Sequence, residues 1–394
     1  MNSIFSDRIT DVPKSFIREI LKVAVDPSVI SFAGGLPNRE LFPVEEIKQA
    51  SIRVLEEHGR DALQYSKTEG YQELRKYISQ RYVDKHNLDI PVENILITHG
   101  SQQGLDLVGK ILLNKMDAVV IEEPGYLGAI QAFSVYRAAF NPVPVSEEGM
   151  DIGRLQTIMS TKAPKLIYAV PNFQNPSGIS YSEANRRAVA DLVRDSNTLL
   201  IEDDPYGDLR FEGVEKTSFK RLIPENTVML GSFSKTVVPS FRLGWIVAPD
   251  NIMEKLIIAK QAADLHTNNF VQCVIYRYIK DNEFDEHIRK IISVYSSQRN
   301  AMIESIRQYF PPGIRHTSPE GGMFLWVTLP QHMSSMKLFE RAIIDKVAFV
   351  PGYPFYINRK DVNTLRLNYS CVDEGTIKIG IKRLGQAIRE QLAA

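Results

Sequence analysis

Between residues 94 and 250 the chain alternates short apolar runs with longer stretches of helical pattern, and few folds accommodate that order. The runs occupy residues 94–98, 118–121, 165–170, 198–202, 227–231 and 243–247. They are too short for independent helices and show no regular polar alternation, which is how strands read when a parallel sheet is covered on both faces. The stretches between them include helices expected over 101–114 and 182–194, the second opening on a Ser182-Glu183 cap signal. An α/β domain of stacked layers follows. Beyond it, Phe284, Ile288, Ile291, Tyr295, Met302, Ile306 and Tyr309 recur at helical spacing and predict one long amphipathic helix over 284–310. The last part of the chain alternates strand candidates (322–329 and 364–369) with helices (337–346 and 374–392), as in a smaller α+β domain.

A chain of 394 residues has room for a large core and one further unit. Hydrophobic residues at 44% and charged residues at 24% match an ordinary globular protein. Forty-seven basic residues balance forty-seven acidic ones, which favours neither nucleic acid nor an anionic membrane surface as partner. No apolar run approaches the roughly 20 residues of a membrane span. The N-terminus lacks a basic segment followed by an apolar one, so no secretory signal is read and a cytoplasmic location is expected. Cys273 and Cys371 are isolated thiols, and the seven histidines form no metal-ligand spacing, so no catalytic metal is expected. No internal repeat or low-complexity segment interrupts the pattern.

The chemistry concentrates around Lys235, between two strand runs. Ser232 and Ser234 flank it, and Arg242 follows seven positions later. A lysine amine becomes a nucleophile or base near neutral pH only when its surroundings lower its pKa or it is held as an imine. Neighbouring hydroxyls and a guanidinium mark space for an anion such as phosphate. The run Ser-Phe-Ser-Lys-x-x-x-Pro-x-x-Arg-Leu-Gly-Trp (232–245) resembles the cofactor-lysine motif of fold-type I pyridoxal-phosphate aminotransferases, and most closely the 2-aminoadipate and kynurenine aminotransferase branch. The likeness extends from about Ile30 to Val372. It implies an aspartate-aminotransferase-like fold: a large domain with a mostly parallel seven-stranded sheet (46–285), and a smaller α+β domain formed by 1–45 with 286–394. It also implies pyridoxal 5'-phosphate joined covalently to Lys235, with Ser232, Ser234 and Arg242 holding its phosphate.

Other motifs fall in the matching order. Gly100, Ser101 and Gln102 follow a strand run and open a helix, where free N–H groups and the helix dipole favour an anion; the resemblance makes Ser101 and Gln102 phosphate donors. Asp203 and Asp204 end another run, where α/β sheets place ligands. A buried carboxylate there would keep the cofactor's ring nitrogen protonated. The family pattern selects Asp203, because neighbouring strand residues face opposite ways, and makes Tyr206 a donor to the ring hydroxyl oxygen. Asn175, in an Asn-Pro-x-Gly turn, would reach the same oxygen, and Tyr126 would stack on the ring.

For the substrate, Arg366 lies inside an apolar run, and its planar fork suits a carboxylate. By resemblance it binds the α-carboxylate of an amino acid or 2-oxo acid, with Gly35 letting backbone approach the substrate closely. Tyr71 corresponds to a residue lent across a homodimer interface to the phosphate; Lys67 beside it stands where relatives often carry proline. Phe16, Ile17, Ile20 and Leu21 predict a short amphipathic helix that would cover the site and place Arg18 against a distal carboxylate. The implied reaction is ping-pong transfer of an amino group, with Lys235 as base. Two readings compete: a lyase or decarboxylase on the same fold, and a cofactor-binding regulator. The regulator needs a DNA-binding domain ahead of the module, and the resemblance begins within the first few tens of residues.

Overall fold

The computed structural model describes residues 4–10, 12, 26–359 and 362–393. Its strands in chain order are β1 (Ile30–Ser31), β2 (Ile95–Thr98), β3 (Ala118–Glu123), β4 (Ala139–Ser146), β5 (Gly149–Met150), β6 (Leu166–Ala169), β7 (Leu199–Asp203), β8 (Thr227–Ser232), β9 (Gly244–Val247), β10 (Arg315–His316), β11 (Phe324–Thr328), β12 (Val347–Ala348), β13 (Val350–Pro351) and β14 (Thr364–Asn368). The large sheet runs β2-β9-β8-β7-β6-β3-β4-β5. Neighbours from β8 through β4 are parallel, whereas β9 is antiparallel to both β8 and β2. This is the expected mostly parallel set of seven strands, extended to eight by two-residue β5, which hairpins back on β4.

Both faces of the sheet are covered, which is why its strands read as unalternated apolar runs. Val119, Ile121, Leu166, Tyr168, Ile201 and Leu230 bury one face in the main core. Val120, Ile167, Ala169 and Leu200 bury the other beneath helices Ile152–Lys162 and Glu183–Val193. The Ser182 side chain accepts from Asn185 N, as its cap signal predicts. A further core packs helices Val44–Ala62, Gln72–His86 and Asn269–Asp281 against β2 and β9.

The long helix forms over Phe284–Tyr309 and buries the expected stripe, with Tyr309 half-buried. After it comes an antiparallel sheet, β10-β11-β14-β13, flanked by helices Ser335–Ile344 and Glu374–Ala393. Strand β1 pairs in parallel with β12, and Asn368 N donates to Phe32 O, so the segment after β1 lies beside the end of β14. Among the described residues no helix is long and apolar enough to cross a membrane. No group of three or more His, Cys, Asp or Glu among them could hold a metal ion. Cys273 and Cys371 are free thiols.

Candidate active site

At the carboxyl ends of the parallel strands lies a cavity of about 330 Å³. Gly35, Ser101, Gln102, Tyr126, Asn175, Asp203, Tyr206, Ser232, Ser234, Lys235, Arg242 and Arg366 all line it. Of the residues singled out in the sequence, Tyr71 lines a different cavity, with Cys273 and Tyr276. Arg18 and its expected helix lie outside the described residues.

Ser232 ends β8, and the turn after it carries Lys235. The Ser234 backbone N donates to Ser232 Oγ at 3.1 Å, which holds that hydroxyl, and Lys235 Nζ donates to Gly35 O at 2.7 Å. Removal from water pushes the Lys235 amine down to about 8; Cys371 opposes this, and the charges of Arg366 and Arg242 add to it. Arg242 has a left-handed backbone (φ 50°) and brings Nη1 to 3.5 Å from Ser234 Oγ. Beside it begins helix Gly100–Leu112, whose first-turn N–H groups have no preceding helical carbonyls. Gly100 is required there: its φ is +73°, and a Cβ would stand 2.7 Å from Arg242 Nη2. The cap position is His99 rather than Ser101, so Ser101 belongs to the first turn. Two hydroxyls, a guanidinium and a helix N-terminus thus border one end of the cavity, a donor set suited to a phosphate.

Asp203 ends β7 and is 2% exposed. Its Oδ2 accepts from Tyr168 Oη at 2.6 Å, while its Oδ1 is buried without a partner. Burial pushes this carboxyl up to about 7, opposed by the Tyr168 hydrogen bond. Asp204 turns the other way: its Oδ1 accepts from Gly207 N at 2.9 Å, and it lines a separate small cavity with Arg81 and Tyr82. An unpartnered, buried carboxylate oxygen is what a protonated ring nitrogen would satisfy.

Arg366, on β14, is 3% exposed. Nη1 donates to Asn175 Oδ1 at 2.8 Å and Nη2 to Ala33 O at 2.7 Å, while Nε has no partner. The guanidinium lies 4.4 Å from the Phe324 ring centroid and 5.3 Å from that of Phe355. Of its five N–H donors, at least two remain free for a carboxylate. Burial lowers it to about 10, far above neutrality, so it stays charged. Asn175 opens a turn closed by Gly178 (φ +72°), where a Cβ would clash with Phe324 O. Tyr206 is buried edge-on to Phe324. Half-buried Tyr126 precedes helix Leu127–Ser134 and stacks on Tyr168 at 6.4 Å.

Gly35 lines the cavity beside Lys235. Its φ lies outside the left-handed region, and an added Cβ would stand 3.5 Å from Phe324, an ordinary contact. Within the chain its backbone serves Lys235. Sequence reading also passed over Tyr168, Val170 and Pro205, which line the same cavity. The signal for Tyr168 was strand parity: its partner Ile201 is two residues from Asp203, so Tyr168 and Asp203 share a face.

A phosphate cup, a lysine whose amine is shifted toward neutral pH, a buried acid with a free oxygen and a buried arginine facing one cavity define a pyridoxal-phosphate enzyme that handles amino acids. The family described as "Aminotransferase class I and II" matches residues 28–384. The chain is 40% identical to an aromatic-amino-acid aminotransferase of Thermococcus litoralis, over 98% of this chain and 94% of that one. Among solved structures, kynurenine aminotransferase of Pyrococcus horikoshii, in complex with PMP, superimposes with a TM-score of 0.95 at 41% identity, covering 99% of this chain and 98% of that one. The alpha-aminoadipate aminotransferase of Thermus thermophilus, complexed with N-(5'-phosphopyridoxyl)-L-leucine, gives 0.91 at 39% identity, with coverage of 99% and 98%. The chain belongs to the class I and II aminotransferases and is a pyridoxal-phosphate-dependent transaminase.

Proposed function

We propose that this aminotransferase moves the amino group of an L-amino acid of the 2-aminoadipate, aromatic or branched-chain type to a 2-oxo acid such as 2-oxoglutarate. The observation that carries the reading is one cavity lined by Lys235, Asp203 with its free Oδ1, and Arg366 with its free N–H groups. Relatives acting on aromatic, kynurenine and aminoadipate substrates support the donor classes.

Pyridoxal phosphate, when bound, supplies a carbonyl carbon for amine exchange and a ring that accepts the electrons of a broken Cα–H bond. Ser232, Ser234, Arg242 and the amides of Ser101 and Gln102 bind its phosphate, and Tyr126 covers its ring. Asp203 Oδ1 holds the proton on the ring nitrogen. Asn175 and Tyr206 hold the ring hydroxyl oxygen. Arg366 binds the substrate carboxylate and so sets which Cα bond stands across the ring. Lys235 Nζ, in the same cavity, would take the Cα proton and later return it. Arg18 pairs with the second carboxylate of dicarboxylic donors.

The working unit is a homodimer in which Tyr71 reaches the partner's phosphate site; its absence from the lining of the Lys235 cavity in its own chain supports this. The enzyme works in the cytoplasm in amino-acid biosynthesis. The division into 46–285 and 1–45 with 286–394 is supported by the β1–β12 pairing. The test is a donor screen: purified enzyme with pyridoxal phosphate, 2-oxoglutarate and one L-amino acid at a time, with glutamate measured. Glutamate formed from aminoadipate, aromatic or branched-chain donors is expected. Release of ammonia or carbon dioxide without glutamate would overturn the reading in favour of a lyase or decarboxylase.

A further inference from the structure

We propose that Tyr168 is a positioning residue that orients Asp203 and holds it as an acceptor toward the cofactor's ring nitrogen. This inference rests on the reading of Asp203 given above, and the test separates the two.

Register brings the pair together. Tyr168 on β6 lies opposite Ile201 on β7, so Asp203 is its diagonal neighbour on the same face of the sheet, within reach of a long side chain. The tyrosine hydroxyl lies 2.6 Å from Oδ2, and among the described residues no other hydrogen bond reaches that carboxylate. A carboxylate rotates readily about its Cβ–Cγ bond unless something holds an oxygen. Asp203 lines the cavity, and the hydroxyl occupies one of its oxygens and leaves the other, Oδ1, without a partner. The tyrosine is itself immobilised: it is fully buried, stacked against Tyr126 with ring planes 22° apart and edge-on to Phe133. A hydroxyl in that position has a second consequence. Donating to Oδ2 withdraws electron density from the carboxylate and makes it a weaker base. A proton shared between Oδ1 and the ring nitrogen therefore stays on nitrogen, where the reaction needs it.

The test is Tyr168→Phe, in the wild-type background and combined with Asp203→Asn, on holoenzyme carrying pyridoxal phosphate labelled with nitrogen-15 in the ring. In the single variant kcat is expected to fall about tenfold to a hundredfold, as for loss of a hydrogen bond to a charged group, with KM for the amino donor little changed. The ring nitrogen resonance should move toward that of neutral pyridine. In the Asp203→Asn background the same substitution should change kcat by less than about threefold, because its route of action is already cut. An unmoved resonance in Tyr168→Phe would overturn the proposal, as would an equal loss of kcat in both backgrounds. An Asp203→Asn single variant with near-normal kcat and ring resonance would refute the Asp203 reading instead. Tyr168→His is the second variant: if phenylalanine impairs folding, histidine keeps a donor and should return part of kcat and the resonance, and a folded histidine variant with neither would count against the proposal.

Discussion

Replacing Arg366 by lysine keeps a positive charge and removes the fork, so it measures how much of the site depends on geometry rather than charge. In the wild-type chain two N–H groups are committed to Asn175 Oδ1 and Ala33 O, at 2.8 and 2.7 Å. The remaining donors can meet a carboxylate with two parallel bonds. A lysine ammonium at the same depth can satisfy one of these demands well, not all three. With a hydrogen bond to a charged group worth roughly 1.5–3 kcal/mol, losing one of the two substrate bonds lowers kcat/KM about tenfold to a hundred-and-fiftyfold. A buried acceptor left unpaired costs about 1–3 kcal/mol of folding stability, and at 3% exposure water does not relieve it. The assay is the single-turnover half-reaction, followed by cofactor absorbance, with an L-amino acid and with the amine lacking its carboxylate. The amino acid should lose the predicted factor and the amine should react as it does with the wild type. Equal losses for both, or a loss below about threefold for the amino acid, would refute the assignment of Arg366 to the carboxylate.

Lys235→Ala should abolish turnover and the imine absorbance while leaving the thermal unfolding midpoint of the apoprotein nearly unchanged; retained transamination would remove the lysine from the mechanism. In the apoprotein, labelling of Lys235 by a neutral amine-reactive reagent, mapped by mass spectrometry, should rise with pH about a midpoint near 8, because the reactive neutral fraction grows as pH passes the lowered value; a midpoint above 10 would mean the amine is not desolvated. Asp203→Asn should cost at least about a hundredfold in kcat, whereas Asp204→Asn, which can still accept from Gly207 N, should stay within about threefold; the reverse order would exchange their roles. Mixing Lys235→Ala with Tyr71→Phe protein, with subunit exchange verified, should exceed the average of the two parents, since heterodimers then contain one unimpaired site; a plain average would count against a shared site.

The main architecture and most of the cavity lining were legible because parallel-sheet physics writes itself into sequence. Strands covered on both faces become uninterrupted apolar runs, and the residues just past their ends become the site. Strand β4 was not legible: its segment Ala139–Ser146 carries Pro142 and Pro144, which normally argue against a strand. They are tolerated because beyond β4 only the two residues of β5 continue the sheet, so most of its outer edge asks for no donor. Tyr168 was hidden for the opposite reason. It sits in a correctly recognised run as one more large buried residue, and only the pairing with β7 shows that its hydroxyl meets an acid. Arg18 and its helix lie outside the described residues, and Tyr71 lines a cavity other than the one that holds Lys235.

Charge explains why the binding groups of this cavity were the most readable of all. Lys235, Arg242 and Arg366 face the same space as Asp203, whose carboxyl is itself pushed up to about 7. Such an excess of cationic groups is costly to bury without anions, and a chain concentrates it only where anions will arrive. On the proposed reading the phosphate lies beside Arg242 and the substrate carboxylate beside Arg366. Both charges add to burial in holding the Lys235 amine down, against the opposing influence of Cys371.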